Sequence, residues 1–159
     1  MFVRLAMPDE EDDFVRMGVA NLEETMAGEP YSVEKLRATF RRGIETAQPT
    51  IWFVEHRRKP IAFMMSYMRE FDYRDGLYTT QRVIYVSPEH RGTRASVLLV
   101  RELLRWSQAL GAAKIEGGND NSFRSERTAR FLEHFGFKHI GFYMTRLLEE
   151  RDEQGQGRR

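Results

Sequence analysis

Val83-Ile-Tyr-Val-Ser-Pro-Glu-His-Arg-Gly-Thr-Arg-Ala-Ser96 is the stretch on which the reading of this chain turns. Its first four residues are strand formers, Ser87-Pro88 stops the strand, and a polar loop with two arginines runs into a helical pattern over about 94–110. In that helix Leu99, Val100, Leu103, Leu104 and Leu110 share one face, and Gly111 supplies the stop. A strand that ends in a glycine-containing loop and a helix start forms an anion site. Unbonded N–H groups point outward with the positive end of the helix dipole behind them, and Gly92 lets a ligand come close to the backbone. Arg91 and Arg94 add charge suited to phosphate or pyrophosphate. The same residues also read as a basic loop that only starts a helix, and the segment by itself leaves both readings open.

Upstream, Phe2–Ala6 alternates like a short strand, and Pro8-Asp9 breaks it and opens a helix over about 9–26 with Phe14, Met17, Val19 and Leu22 at helical spacing. Gly28-Glu29-Pro30 ends that helix, and Ser32 caps a second one to about Thr46 with Leu36 and Phe40 facing inward. Ile51–Val54 and Ile61–Met65 are apolar runs joined by the charged hairpin Glu55–Pro60. Asp75-Gly76 then separates Tyr67–Tyr73 from Leu77–Val86, which makes an antiparallel meander. Downstream, Ala112–Glu116 reads as a strand, Gly117–Ser122 as a turn-rich loop, 125–135 as a helix closed by Gly136, and Phe137–Ile140 and Phe142–Leu148 as the last strands. The order β-α-α-β-β-β-α-β-α-β-β describes a mixed α/β layer structure, one domain over 1–148, with an entirely polar tail at 149–159.

Composition narrows the chemistry. In 159 residues, 25 Lys and Arg balance 24 Asp and Glu, so no global field draws the protein to nucleic acid. Without cysteine there is no disulfide, thiolate metal site or cysteine nucleophile. The four histidines are scattered, with no pair at i, i+4, so a catalytic metal is not expected. No stretch reaches 18 apolar residues and no secretory h-region is evident, so the expected location is the cytoplasm, away from membranes.

Val86-x-Pro88, His90-Arg91-Gly92 and the helix after them resemble motif A of the GNAT acetyltransferases. Of that family's small and basic loop positions, Arg91 is matched, while Arg94 and Ser96 stand where small residues are usual. Ala129-Arg-Phe-Leu-Glu-His-Phe-Gly-Phe137 resembles motif B, and the element order extends the likeness over about 2–148. The resemblance implies a central, mostly antiparallel sheet with a V-shaped opening between the fourth and fifth strands in which acetyl-CoA lies. Tyr85 and Val86 would meet its acetyl and pantetheine end; Arg91, Gly92, Thr93, Arg94, Ala95 and Ser96 would hold the pyrophosphate; Ser125 stands where the family's pattern opens the motif B helix with Asn. In the loop across the cleft, Asn119 and Asn121 read either as contacts to substrate or the pantetheine amides or as turn chemistry. The implied reaction is N-acetyl transfer by direct attack of a primary amine on the thioester, with no acyl-enzyme.

The tyrosine that many members place near the end of the motif B helix is Leu132 here. Tyr143 and Tyr85 are the substitutes considered for the proton donor, and Glu116, at the end of the fifth strand, is the candidate base, with Glu24 and Glu29 on the substrate side. Acids in Ala20–Tyr31 and Glu70–Thr80 would favour a cationic acceptor, a small molecule, peptide or protein, if they face the cleft. A CoA-binding module that has lost catalysis is the alternative, and exposed strand edges leave a homodimer open.

Overall fold

A strand that is apolar at consecutive positions is stable only with both faces covered, and Thr50–His56 has this character. The computed structural model describes residues 1–119, 121, 123–146 and 148. In it, β1 (Phe2–Leu5), β2 (Thr50–His56), β3 (Lys59–Glu70), β4 (Leu77–Val86) and β5 (Ile115–Glu116) form one sheet in the order β1-β2-β3-β4-β5. β1 to β4 pair antiparallel, and β5 runs parallel to β4. Helices α1 (Glu11–Thr25) and α2 (Val33–Thr46) cover one face, and α3 (Ala95–Ala109) the other. The period of two along β2 sends Ile51 and Phe53 into a core with Phe14, Met17, Phe40 and Phe63, and Trp52 and Val54 into a second core with Leu99 and Leu103.

Local signals read from sequence account for several boundaries. The Ser32 hydroxyl caps α2 by accepting the Lys35 amide at 3.2 Å. Glu10, in the short 3₁₀ turn Pro8–Glu10 before α1, accepts the Met7 amide at 2.7 Å and the Arg4 guanidinium at 2.8 and 2.5 Å. Burial works to raise the Glu10 carboxyl, and these hydrogen bonds overcome it and hold it below the usual range. Arg4 also donates to Glu55 of β2 at 2.9 Å, so one guanidinium ties β1 to both neighbours.

Gly43 of α2 lies where a Cβ would stand 2.7 Å from the Pro49 carbonyl oxygen and 2.9 Å from Ile51 Cδ1. Helix propensity alone would make Gly43→Ala favourable by about 1 kcal/mol. Because the nearest obstacle is backbone, the opposite is expected: a lower urea midpoint, by about 1–3 kcal/mol of overpacking. A stabilised variant would show that α2 can shift to make room.

Three expectations need correction. Ile61–Met65 and Tyr67–Tyr73 are not separate segments, because β3 runs unbroken from Lys59 to Glu70, with Glu70 opposite Leu77. The strand expected over Ala112–Glu116 is only Ile115–Glu116. No strand occurs in the described residues of Phe137–Ile140 and Phe142–Leu148, where Ile140, Phe142 and Met144 are 92, 93 and 91% exposed. Alternating apolar residues make a strand only when a partner edge accepts them, and among the described residues β5 pairs with β4 alone. The tail expected at 149–159 lies outside the described residues. Within the described residues no helix is long and apolar enough to cross a membrane.

Candidate active site

The site begins with one extra residue. Along the β3–β4 ladder the register passes from Met65 opposite Val83 to Ser66 opposite Gln81, which makes Arg82 a bulge in β4. The bulge inverts the alternation of the strand. Before it, Thr79 reaches the α3 face and shares a 2.6 Å hydrogen bond with Ser107; after it, Tyr85 joins the core beneath α1 and α2. Pairing with β5 ends at the same place, at Thr80 opposite Glu116. Beyond that point the Gly118 amide donates to the Gln81 side chain at 3.1 Å, and the strands part.

The parting opens a cavity of about 500 Å³. Its floor is Gln81–Val86, and at one end it meets the turn Pro88–His90 and the loop to α3, with Arg91, Gly92, Thr93 and Ser96 on its wall. Gly92 sits at φ +79, a left-handed conformation that costs glycine little. The Thr93 hydroxyl accepts the Ala95 amide at 3.3 Å, and the other amides at the start of α3 have no carbonyl one turn back to bond. The opposite wall is Phe123, Arg124 and the helix α4 (Ser125–Glu133), which contributes Arg127, Thr128, Phe131 and Leu132. The third wall is α1, with Gly18, Leu22 and Glu24.

Across the mouth, Arg91 Nη1 donates to Glu24 Oε1 at 2.6 Å and Nη2 to Glu24 Oε2 at 2.5 Å, while its Nε donates to the Val86 carbonyl at 3.0 Å. The hydrogen bond from Arg91, with a smaller contribution from Arg124, holds the Glu24 carboxyl below its usual range, and Glu24 in turn raises Arg91. Burial pushes the Tyr85 phenol up, so it keeps its proton at neutral pH.

Of the candidates named from sequence, Tyr85, Val86, Arg91, Gly92, Thr93, Ser96 and Asn121 line this cavity. Ala95 instead packs in the core beneath α3, and Arg94 is exposed at the helix N-cap. Ser125 is turned to its own loop: its hydroxyl donates to the Asn121 carbonyl at 2.8 Å, and the Asn121 side chain accepts the Phe123 amide at 3.0 Å. Glu116 pairs with Lys114 at 2.6 Å, apart from the cavity walls. Tyr143 is 73% exposed and does not line the cavity. Arg124 and Arg127, which do line it, were not singled out from sequence; their only signal there was position at the start of a helix. Among the described residues no three His, Asp or Glu side chains come together as a metal site.

Known proteins match this architecture. Residues 16–137 match the model of the acetyltransferase (GNAT) family, and the chain belongs to that family. Among solved structures it is similar to a possible acetyltransferase from Clostridium difficile 630, at 14% identity and a TM-score of 0.76, over 94% of this chain and 97% of that one. A predicted acetyltransferase from Clostridium acetobutylicum, solved with acetyl-CoA, is 16% identical with a TM-score of 0.74, over 91% and 94% of the two chains. The aminoglycoside 6'-N-acetyltransferase of Acinetobacter haemolyticus is 14% identical with a TM-score of 0.70, over 94% of this chain and 100% of that one. At such identities these likenesses speak for the fold. Among curated proteins none matches the chain in sequence.

Proposed function

We propose that the protein transfers the acetyl group of acetyl-CoA to a primary amine while both are bound, within one domain spanning 1–148. The observation that carries this reading is that the gap opened at the Arg82 bulge leads directly to the Arg91–Ser96 loop. An extended thioester has an exposed strand edge at one end and an anion cradle at the other. The residues present fit the ligand. Arg91, Arg124 and Arg127 supply positive charge toward the phosphates, the first turn of α3 brings Ser96 and the positive end of its dipole to the same space, and Phe123 and Phe131 offer apolar surface to the pantetheine arm.

When bound, acetyl-CoA would supply an activated acyl carbon: the amine nitrogen forms a C–N bond to it, the C–S bond breaks with its electron pair on sulfur, the proton lost by nitrogen passes to solvent, and sulfur gains one from the protein. This chain's part is positioning and proton handling. Tyr85, buried, protonated and on the cavity wall, is the proposed proton donor to the leaving sulfur, and Leu132 fills the place that a tyrosine would take in many relatives.

The test is amine-dependent release of free thiol from acetyl-CoA, followed with a thiol-reactive dye over a panel of primary amines. Release equal to acetylated amine supports the reading, and Tyr85→Phe is expected to lower kcat by about 10- to 100-fold with little change in KM for acetyl-CoA. Tight acetyl-CoA binding with no turnover on any amine would favour a binding module instead, the reading to which Leu132 points.

A further inference from the structure

The cleft joins two surfaces of opposite character, and one ion pair ties them together. The cofactor side carries Arg91, Arg124 and Arg127. The α1 side mixes hydrocarbon from Leu22, Leu36 and Met65 with the polar Asn21 and Thr25, and among the described lining residues its Glu24 is the sole carboxylate. Both Glu24 oxygens accept from the Arg91 guanidinium. Each of the two side chains is 27% exposed, so the pair is reachable by a ligand entering the mouth.

We propose that the Arg91–Glu24 pair is a latch: the pyrophosphate of acetyl-CoA draws Arg91 away, and the freed Glu24 carboxylate then binds the ammonium end of an amine whose body is apolar. The proposal rests on the acetyltransferase reading above. Its physical basis is competition for one fork of donors. A pyrophosphate offers more charge than one carboxylate, with Arg124, Arg127 and the α3 amides already beside it, and a guanidinium suits either anion. A half-buried carboxylate that loses its partner carries a desolvation cost until another cation takes its place. Leu22, Leu36 and Met65 on the same wall give the body of the amine hydrocarbon to pack against, and a single carboxylate matches one ammonium rather than several. Binding of the two substrates is thereby coupled, and the coupling is reciprocal.

The latch is tested by isothermal titration with CoA and with 2-phenylethylamine as probes, on the wild type and on Glu24→Gln. The latch predicts that Glu24→Gln binds CoA about fivefold more tightly, because Arg91 no longer has to be released from a part-exposed pair. It also predicts that the wild type binds 2-phenylethylamine at least about tenfold more tightly when saturated with CoA, and that this gain disappears in Glu24→Gln. Equal or weaker CoA binding by the variant overturns the latch while leaving the acetyltransferase reading in place. Equal amine binding with and without CoA overturns the coupling, and no amine binding at all overturns the acceptor assignment. Absence of CoA binding by the wild type removes the acetyltransferase reading and the latch together.

Discussion

Acetyl-CoA binding is expected to fall by about 100-fold in Ser96→Glu, with the fold intact. Ser96 is the second residue of α3 and lies on the cavity wall next to Gly92 and Thr93. A carboxylate placed there faces the proposed pyrophosphate position, and like charges brought together in an interface cost several kcal/mol, of which about 3 corresponds to this loss. For the helix itself the same substitution is harmless, since acidic side chains in a first turn complement the dipole. Isothermal titration and a thermal melt on one preparation therefore separate the two effects. Binding lost with Tm unchanged or raised supports the loop as the phosphate site, Ser96→Ala should remain near wild type, and unchanged affinity in Ser96→Glu would place the phosphates elsewhere.

The second large effect concerns stability. Trp52→Ala is expected to cost about 3–5 kcal/mol, a large share of the roughly 5–15 kcal/mol that holds a domain together. Trp52 is buried between the sheet and α3, and its ring meets Trp106 edge-on at 5.0 Å between centroids and 75° between planes. The neighbours on its face, Val54, Ala62, Met64, Leu99 and Leu103, are themselves buried, so collapse into the void is limited. Urea unfolding should show a lower midpoint at an unchanged m-value, the mark of lost stability without an altered unfolded state. A change below about 1 kcal/mol would mean that Trp106 swings in to fill the space.

Much of the architecture is legible in the sequence because it rests on local rules. Ser32 caps α2 where its hydroxyl reaches one turn forward, and the unbroken apolar run at Ile51–Val54 demands cover on both faces, which α1, α2 and α3 supply. Val83–Ser96 contains its strand, turn and helix start within fourteen residues, and six of the named residues from Tyr85 to Ser96 line the cavity. What is not legible depends on partners far along the chain. The Arg82 bulge exists only in the register between β3 and β4, and no residue type announces it. Glu24 meets Arg91 across 67 positions, so its acid was one among several until α1 docked beside the loop. Arg124 and Arg127 resemble ordinary helix-surface cations until the chain folds them over the cleft. The alternation in Phe142–Leu148 shows the converse, a sound local signal without a partner edge among the described residues.

A crystal structure with CoA bound tests the central claim most directly. The account predicts the pantetheine arm along the open edge of β4 beyond the Arg82 bulge, the pyrophosphate within hydrogen-bond distance of the amides between Arg91 and Ser96, and Arg91 turned from Glu24 toward it. Density for the phosphates anywhere other than this loop, or an empty gap between β4 and β5 at saturating CoA, would contradict it.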